Sequence, residues 1–164
     1  SHGKPFAVIK NGHQDIDGFV FSISHTHNQA VCLACHDKKI KSVGVDIEMS
    51  GSDCAHFAKY FLHQDEIESL AGNGFQTLNR CMLSYWCLKE ATAKAVGVSQ
   101  VSGPLSIRIR SFDCRTGQAD IGLVTAGTEQ LSSRQENGIY AWSMSADPLL
   151  LAITVISDTG DKPL

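Results

Sequence analysis

Asp46 and Glu48 stand two residues apart in the stretch Val43-Gly44-Val45-Asp46-Ile47-Glu48. In an extended strand this spacing puts both carboxylates on one face, roughly 6.6–7 Å apart at their Cα atoms. Side chains so placed can converge on one hard cation through oxygen ligands. Gly44, on the same face, leaves room for a ligand to approach the backbone. A solvated acidic strand face is the plainer reading of this pair. The segment Trp86-Cys87-Leu88-Lys89-Glu90-Ala91-Thr92-Ala93-Lys94 adds a third carboxylate and two cations. Taken alone, Glu90 and Lys94 one helical turn apart make an exposed ion pair. Joined to Asp46 and Glu48, Glu90 completes three oxygen donors of the kind that hold Mg²⁺ while it recruits substrate phosphates. Lys89 and Lys94 would then neutralise those phosphates. Ser24-His25-Thr26 offers a weaker signal, a histidine able to donate hydrogen bonds to a phosphate or a loop histidine with no role.

The elements that must carry these residues follow from periodicity and turn chemistry. Val43, Val45 and Ile47 alternate with Gly44, Asp46 and Glu48, which predicts a strand with its apolar side in the core and its acidic side facing away. Phe6 to Ile9 reads as a short strand after the Gly3-Lys4-Pro5 loop entry, with a turn at Asn11-Gly12. Phe19 to His25 reads as a strand with Phe19, Phe21 and Ile23 inward. Ala30 to Cys35 is a continuous apolar run and reads as a buried strand, turning at Asp37-Lys38-Lys39. Three strands on short turns predict an antiparallel meander. Ser52 or Asp53 can cap a helix through about Phe61. A short helix fits Gln64 to Leu70, with Asp65, Glu66 and Glu68 near its start. A long helix is predicted from about Thr77 to Val96, stopped by Gly97. Its core stripe is Cys81, Tyr85, Leu88, Thr92 and Ala95, with Glu90 and Lys94 on the opposite side. Strands return over Leu105 to Phe112, Ala119 to Thr125, Ile139 to Ser145 and Leu149 to Ile156. Strands, then helices, then strands make the class α+β, antiparallel sheets packed with helices.

Composition bounds the function. The 164 residues are 43% hydrophobic and 19% charged, the balance of a soluble globular protein, and suffice for one sizeable domain or two small halves. A net charge of −3 supplies no basic field for nucleic acid. The longest apolar runs are too short to span a bilayer, so no membrane partner is expected. No signal-peptide pattern opens the chain, and the six cysteines read as reduced thiols of a cytoplasmic protein. Cys32-Leu33-Ala34-Cys35-His36 fits the pattern of covalent haem attachment, but on a strand its two cysteines point to opposite faces. A zinc site from Cys32, Cys35, His25, His27 and His36 lacks a second Cys-x-x-C. Buried cysteines acting as small hydrophobes are the simpler reading.

Gly3-Lys4-Pro5, Phe21 to Thr26, Val43 to Glu48 and Trp86 to Lys94 come in the order seen in 4′-phosphopantetheinyl transferases. The chain resembles the larger class of that family, which activates peptide and polyketide synthetases. The resemblance implies transfer of the phosphopantetheine arm of coenzyme A, the donor substrate, to a serine of an apo acyl or peptidyl carrier protein, with release of 3′,5′-ADP. It implies Mg²⁺ or Mn²⁺ on Asp46, Glu48 and Glu90. It makes Glu90 the base for the acceptor serine and Lys94 the acid for the leaving group. It puts Lys89 and Lys94 on the pyrophosphate, Ser24 and His25 on the coenzyme A phosphates, and Lys4 near the nucleotide.

Members of the larger class resemble two tandem copies of one α+β half, a pseudo-symmetric arrangement. Gly3-Lys4-Pro5 comes late in the family's first half but opens this sequence. The expectation is therefore a remnant of the first half over residues 1–41, incomplete, and a full second half over residues 42–164. The intact protein is then a monomer, and the uncovered apolar residues of the first strands imply either self-association of the short chain or, the favoured reading, cover by an N-terminal segment. A catalytically inactive, carrier-binding relic is the alternative function. The three carboxylates argue against it, because a binding module needs no such set.

Overall fold

The structure, a computed structural model, describes residues 19–70, 75–97, 103–125, 128–130 and 138–158. Lys4 and the strand expected over Phe6 to Ile9 lie outside these. The α+β class is borne out. Strands β1 (Phe19–Thr26) and β2 (Gln29–His36) form a hairpin. Strand β3 (Ile40–Met49) leads to a 3₁₀ turn (Ala55–Phe57) and helices α1 (Ala58–Phe61), α2 (Gln64–Leu70) and α3 (Phe75–Val96). A second 3₁₀ turn (Pro104–Ser106) opens β4 (Ile107–Phe112), β5 (Gln118–Thr125), β6 (Thr128–Gln130), β7 (Ile139–Ala146) and β8 (Leu149–Ser157). The main sheet runs β3-β8-β7-β5-β4, with β6 paired to β5 and every pairing antiparallel. Among the described residues, no helix is long and apolar enough to cross a membrane.

The expected meander is corrected. β3 leaves the hairpin and pairs with β8, Asp46 opposite Ala152 and Glu48 opposite Leu150. The orientation of β1 is corrected too. Ser22, Ser24 and Thr26 are buried, while Phe19 and Ile23 are 39% and 50% exposed. The reason is chemical. The buried hydroxyls bind β3 by side chains: the backbone N–H of Val45 donates to Ser22 Oγ at 3.1 Å, and Ser24 Oγ donates to Asp46 Oδ1 at 2.8 Å. β2, read as a buried strand, alternates between exposed and half-buried positions.

Two helix readings hold in detail. Gln64–Leu70 is a helix as expected, and α3 ends where Gly97 adopts φ +102° and its N–H closes onto the Ala93 carbonyl at 2.9 Å. The helix expected from the Ser52/Asp53 cap starts instead as the 3₁₀ turn, with Asp53 Oδ1 accepting the Ala55 N–H at 3.0 Å. The stripe residues Tyr85, Leu88, Thr92 and Ala95 are buried and Cys81 half-buried, but so are residues all round the helix. α3 runs across the sheet, and Leu83, Leu88 and Ala91 pack with Ile107, Ile109, Ile121, Leu150 and Ala152 in the main core. Edge-to-face contacts of Phe61 on Trp86 (5.3 Å) and Tyr85 on Phe112 (5.8 Å) tie it to α1 and β4.

The face of β3 that carries Gly44, Asp46 and Glu48 was expected to look away from the core. It is the face that α3 covers. A Cβ at Gly44 would overlap the Ala91 carbonyl oxygen and come within 2.8 Å of the Ala95 nitrogen. The approach that Gly44 permits is therefore that of the helix backbone. Val43, Val45 and Ile47 are also buried, on the other side and outside the main core cluster.

A buried ion pair fixes the middle of α3. Lys89 and Glu66 are both 0% exposed at their side chains, with Nζ 2.7 Å from Oε2. Glu66 Oε2 also accepts the His63 N–H at 2.7 Å, the reciprocal bond of a capping box, and Oε1 accepts the Ile109 N–H at 2.7 Å. Lys89 gives a further bond to the Ile107 carbonyl at 2.8 Å. One carboxylate thus links α2, α3 and β4. Burial pushes the Lys89 ammonium below its usual range, and Glu66 opposes that shift.

Two stability outcomes follow, both read by urea unfolding. Gly44→Ala must push α3 off β3 and should cost about 3 kcal/mol, the upper end for overpacking. Glu66→Ala or Lys89→Ala should cost about 3–5 kcal/mol, since each strands a buried charge. The apolar pair Glu66→Leu with Lys89→Met should remain destabilised. It orphans the His63 and Ile109 N–H groups and the Ile107 carbonyl, at about 1–3 kcal/mol each. A double variant as stable as the natural protein would refute the linking role.

Candidate active site

The close packing of α3 on β3 brings the last turns of the helix over the acidic strand. Lys94, in the last turn of α3, spends its ammonium on three acceptors: Asp46 Oδ1 at 2.8 Å, Ser24 Oγ at 3.0 Å and the Val45 carbonyl at 3.0 Å. That is the full donor capacity of an ammonium. Ser24 stands between, giving its proton to Asp46 and taking one from Lys94. Asp46 is 8% exposed at its side chain, and its second oxygen, Oδ2, is buried with no hydrogen-bond partner.

Glu48 and Glu90 complete the acidic group. Glu48 is half-buried and accepts a long bond of 3.5 Å from Thr26 Oγ1 and one from the Trp86 indole. Burial pushes its carboxyl above the ordinary range, the Asp46 charge adds to this, and the two hydrogen bonds oppose it. Glu90 is half-buried. Burial raises it first, then Asp46, with Lys94 opposing and Glu48 adding. The three carboxylates therefore feel one another, with Lys94 answering Asp46 and Glu90, and His27 opposing the rise of Glu48. The Cys87 thiol beneath is fully buried and pushed far up by burial and by the Asp46 and Glu48 charges, while Cys54 rises to about 11. Both stay protonated, Cys54 donating to Asn79 and Cys87 hydrogen-bonded to Asp46.

The residues singled out in the sequence separate into two groups. Asp46, Glu48, Glu90, Lys94 and Ser24 come together. Lys89 does not join them, because its ammonium is closed in with Glu66 on the other side of the helix's packing. The expectation that it faces a phosphate is corrected by that geometry. His25 alternates with Ser24 and is exposed on the far face of the hairpin. Cys32 and Cys35 lie on opposite faces of β2, as expected, facing the partners Ile23 and Val20. Sequence reasoning missed three contributors. Ser22 and Thr26 were legible as a row of hydroxyls at period two. Glu66 was legible as the third residue of a helix, where a carboxylate caps.

The donors suit a hard cation. All are carboxylate oxygens, and one buried oxygen stands unpartnered. Among the described residues no three His, Cys, Asp or Glu side chains are already drawn together as a closed ligand set. On Asp46 the ammonium of Lys94 holds the cation's place.

The sequence profile of the 4′-phosphopantetheinyl transferase superfamily matches residues 42–147. The 4′-phosphopantetheinyl transferase HetI of Nostoc sp. (strain PCC 7120) is 32% identical over 99 residues, which is 59% of this chain and 39% of that protein. The chain thus spans well under half the length of this curated relative. A holo-(acyl-carrier-protein) synthase from Bacillus anthracis, solved in complex with CoA (3′,5′-ADP), superposes with a TM-score of 0.54 at 20% identity. The superposition covers 73% of this chain and 98% of that one, a likeness of fold. The profile takes in β3, α3 and most of the main sheet, and the chain belongs to the 4′-phosphopantetheinyl transferase superfamily.

Proposed function

We propose that the protein transfers the 4′-phosphopantetheine group of coenzyme A to a serine of an apo acyl or peptidyl carrier protein in the cytoplasm. The observation that carries this reading is the Asp46–Lys94 contact beside Glu48 and Glu90, all inside the segment that matches the superfamily, with Ser24 of the preceding hairpin joined to it. Both comparison proteins are named for activities of this kind, and the Bacillus anthracis synthase was solved with CoA (3′,5′-ADP). Asp46, Glu48 and Glu90 would hold Mg²⁺ or Mn²⁺. When bound, the ion supplies Lewis-acid stabilisation of charge on the pyrophosphate oxygens.

The chain's own residues account for the remaining steps. Glu90, its affinity for a proton raised by burial and by its acidic neighbours, takes the proton of the acceptor serine. The serine oxygen bonds to the pantetheine-side phosphorus, the phosphorus–oxygen bond to the nucleotide breaks, and 3′,5′-ADP leaves. Lys94, on a flexible stem and 30% exposed, meets the negative charge on the leaving phosphate and can give it a proton. Ser24 presents its hydroxyl beside Lys94; Ser24 and His25 would contact the coenzyme A phosphates and Lys4 would lie near the nucleotide, as the resemblance implies.

We assign the larger, two-half class on the four ordered motifs, with residues 1–41 belonging to the first half and 42–164 to the second. The hairpin supports this division. It is a separate two-stranded sheet joined to β3 through side chains, with apolar Phe19 and Ile23 left exposed. The intact protein is expected to be a monomer.

Mass gain of an apo carrier protein incubated with full-length protein, coenzyme A and Mg²⁺ tests the reading. Glu90→Gln should lower the rate by about 10²–10⁴-fold, the range for a general base. Asp46→Asn should fall as far, and Glu48→Gln less, with circular dichroism unchanged in all three. Variants that keep their structure and their rate would overturn the assignment.

Stability should move the opposite way from activity. Glu48 and Glu90 are raised from an ordinary value of 4.5 in the folded chain. A raised carboxyl binds more protons folded than unfolded, so its contribution is whole below that value and is lost as pH rises through the folded pKa. In the metal-free protein these two carboxyls should therefore contribute a falling melting temperature as pH climbs above about 4.5, against the opposite contribution of the lowered Asp65 and Asp113 carboxyls. Glu90→Gln should flatten that fall and melt higher at neutral pH, by about 2–4 °C for each kcal/mol of repulsion relieved. Calorimetry in a chelator checks both, and a Glu90→Gln protein that melts lower would refute the repulsion.

A further inference from the structure

Lys94 is bonded to Oδ1, one of the two carboxylate oxygens by which Asp46 would hold a metal. The geometry points to an exchange in which the Lys94 ammonium is the resident counter-ion of Asp46 until a divalent ion displaces it. This rests on the metal reading above and adds to it a second state of Lys94.

Four observations carry it. All three donors of Nζ are engaged inward, on Asp46 Oδ1, Ser24 Oγ and the Val45 carbonyl, so in this state none is left for a phosphate. Asp46 is nine-tenths buried, and its free oxygen Oδ2 has no partner, so one site for a cation is filled and one is bare. A divalent ion held by Asp46 would lie close to the ammonium, and like charges at short range repel strongly where water is scarce. Finally, Lys94 is 30% exposed and carried on a four-carbon stem, so it can turn outward without moving the helix. Lys89 offers the contrast, fully buried and held by Glu66, with nowhere to turn.

The exchange gives Lys94 its timing. Without metal the ammonium neutralises the acidic group and closes it with Ser24. With metal the same ammonium is released at the edge of the site, free to bind the anionic donor. Cation binding thereby prepares the phosphate-binding cation.

The test needs no turnover. Trace acylation of the natural full-length protein with acetic anhydride, read by mass spectrometry in the absence of coenzyme A, reports the freedom of each lysine. Saturating Mg²⁺ should raise the Lys94 rate severalfold while exposed Lys59 stays constant. Mn²⁺ binding, followed by electron paramagnetic resonance, should tighten roughly tenfold or more in Lys94→Gln, the scale of one charge-assisted bond no longer displaced. Mn²⁺ bound by the natural protein with Lys94 acylation unchanged, or bound more weakly by Lys94→Gln, overturns the exchange and leaves the metal site standing. No Mn²⁺ binding by either protein overturns both.

Discussion

The contact of α3 with β3 at Gly44 is the constraint on which the rest depends. A helix normally stands off a sheet by the thickness of two side-chain layers. Here one layer is missing, because a Cβ at Gly44 would collide with the Ala91 carbonyl. The missing layer draws Lys94 within reach of Asp46 and Ser24, and it puts Glu90 close enough to feel Asp46 and Glu48. Directly opposite Gly44 on β8, Thr154 shares a hydrogen bond of 3.0 Å with Thr92, another sign of close approach on the same face. Site geometry thus begins with an absent methyl group, before any charged residue is considered.

Two lysines five residues apart on α3 meet buried carboxylates in opposite ways. Glu66 has both oxygens satisfied, by two backbone N–H groups and by Lys89, and the whole pair is shut from water. The pair cannot be rotated without stranding the backbone groups it satisfies, so it fixes the helix. Asp46 keeps an unsatisfied oxygen, shares its lysine with two other acceptors and lies next to two further carboxylates. That arrangement stores unfavourable charge. The closed pair holds α3 in the rotation at which the open one can exist.

The sequence made some of this legible. The α+β order, the span of α2 and the end of α3 at Gly97 were written in periodicity and in glycine placement, both local. The carboxylates were readable as a group only through the order of four motifs. Faces were the part that failed. Alternation says that a strand has two sides but not which side a helix will cover, and in β3 the polar side, bearing Gly44, took the helix. In β1 the rule that apolar residues point inward gave way to hydroxyls with partners waiting on β3. Lys89 and Lys94 could not be told apart from spacing, because the difference lies in Glu66, which is distant in sequence and arrives through tertiary packing.

The hairpin shows why small hydroxyls belong at that boundary. A backbone ladder between β1 and β3 would be continuous and indifferent to side-chain charge. The observed junction runs instead through Ser22, Ser24 and Thr26, each a single bond onto β3, and two of the three end on the carboxylates Asp46 and Glu48. Hydroxyls can donate or accept, so each can reorganise when the charge opposite it changes. Ser24 already does both at once, toward Asp46 and Lys94. The docking of the hairpin is therefore coupled to the state of the acidic group by construction. Whatever neutralises Asp46 also alters the bond that holds β1 in place.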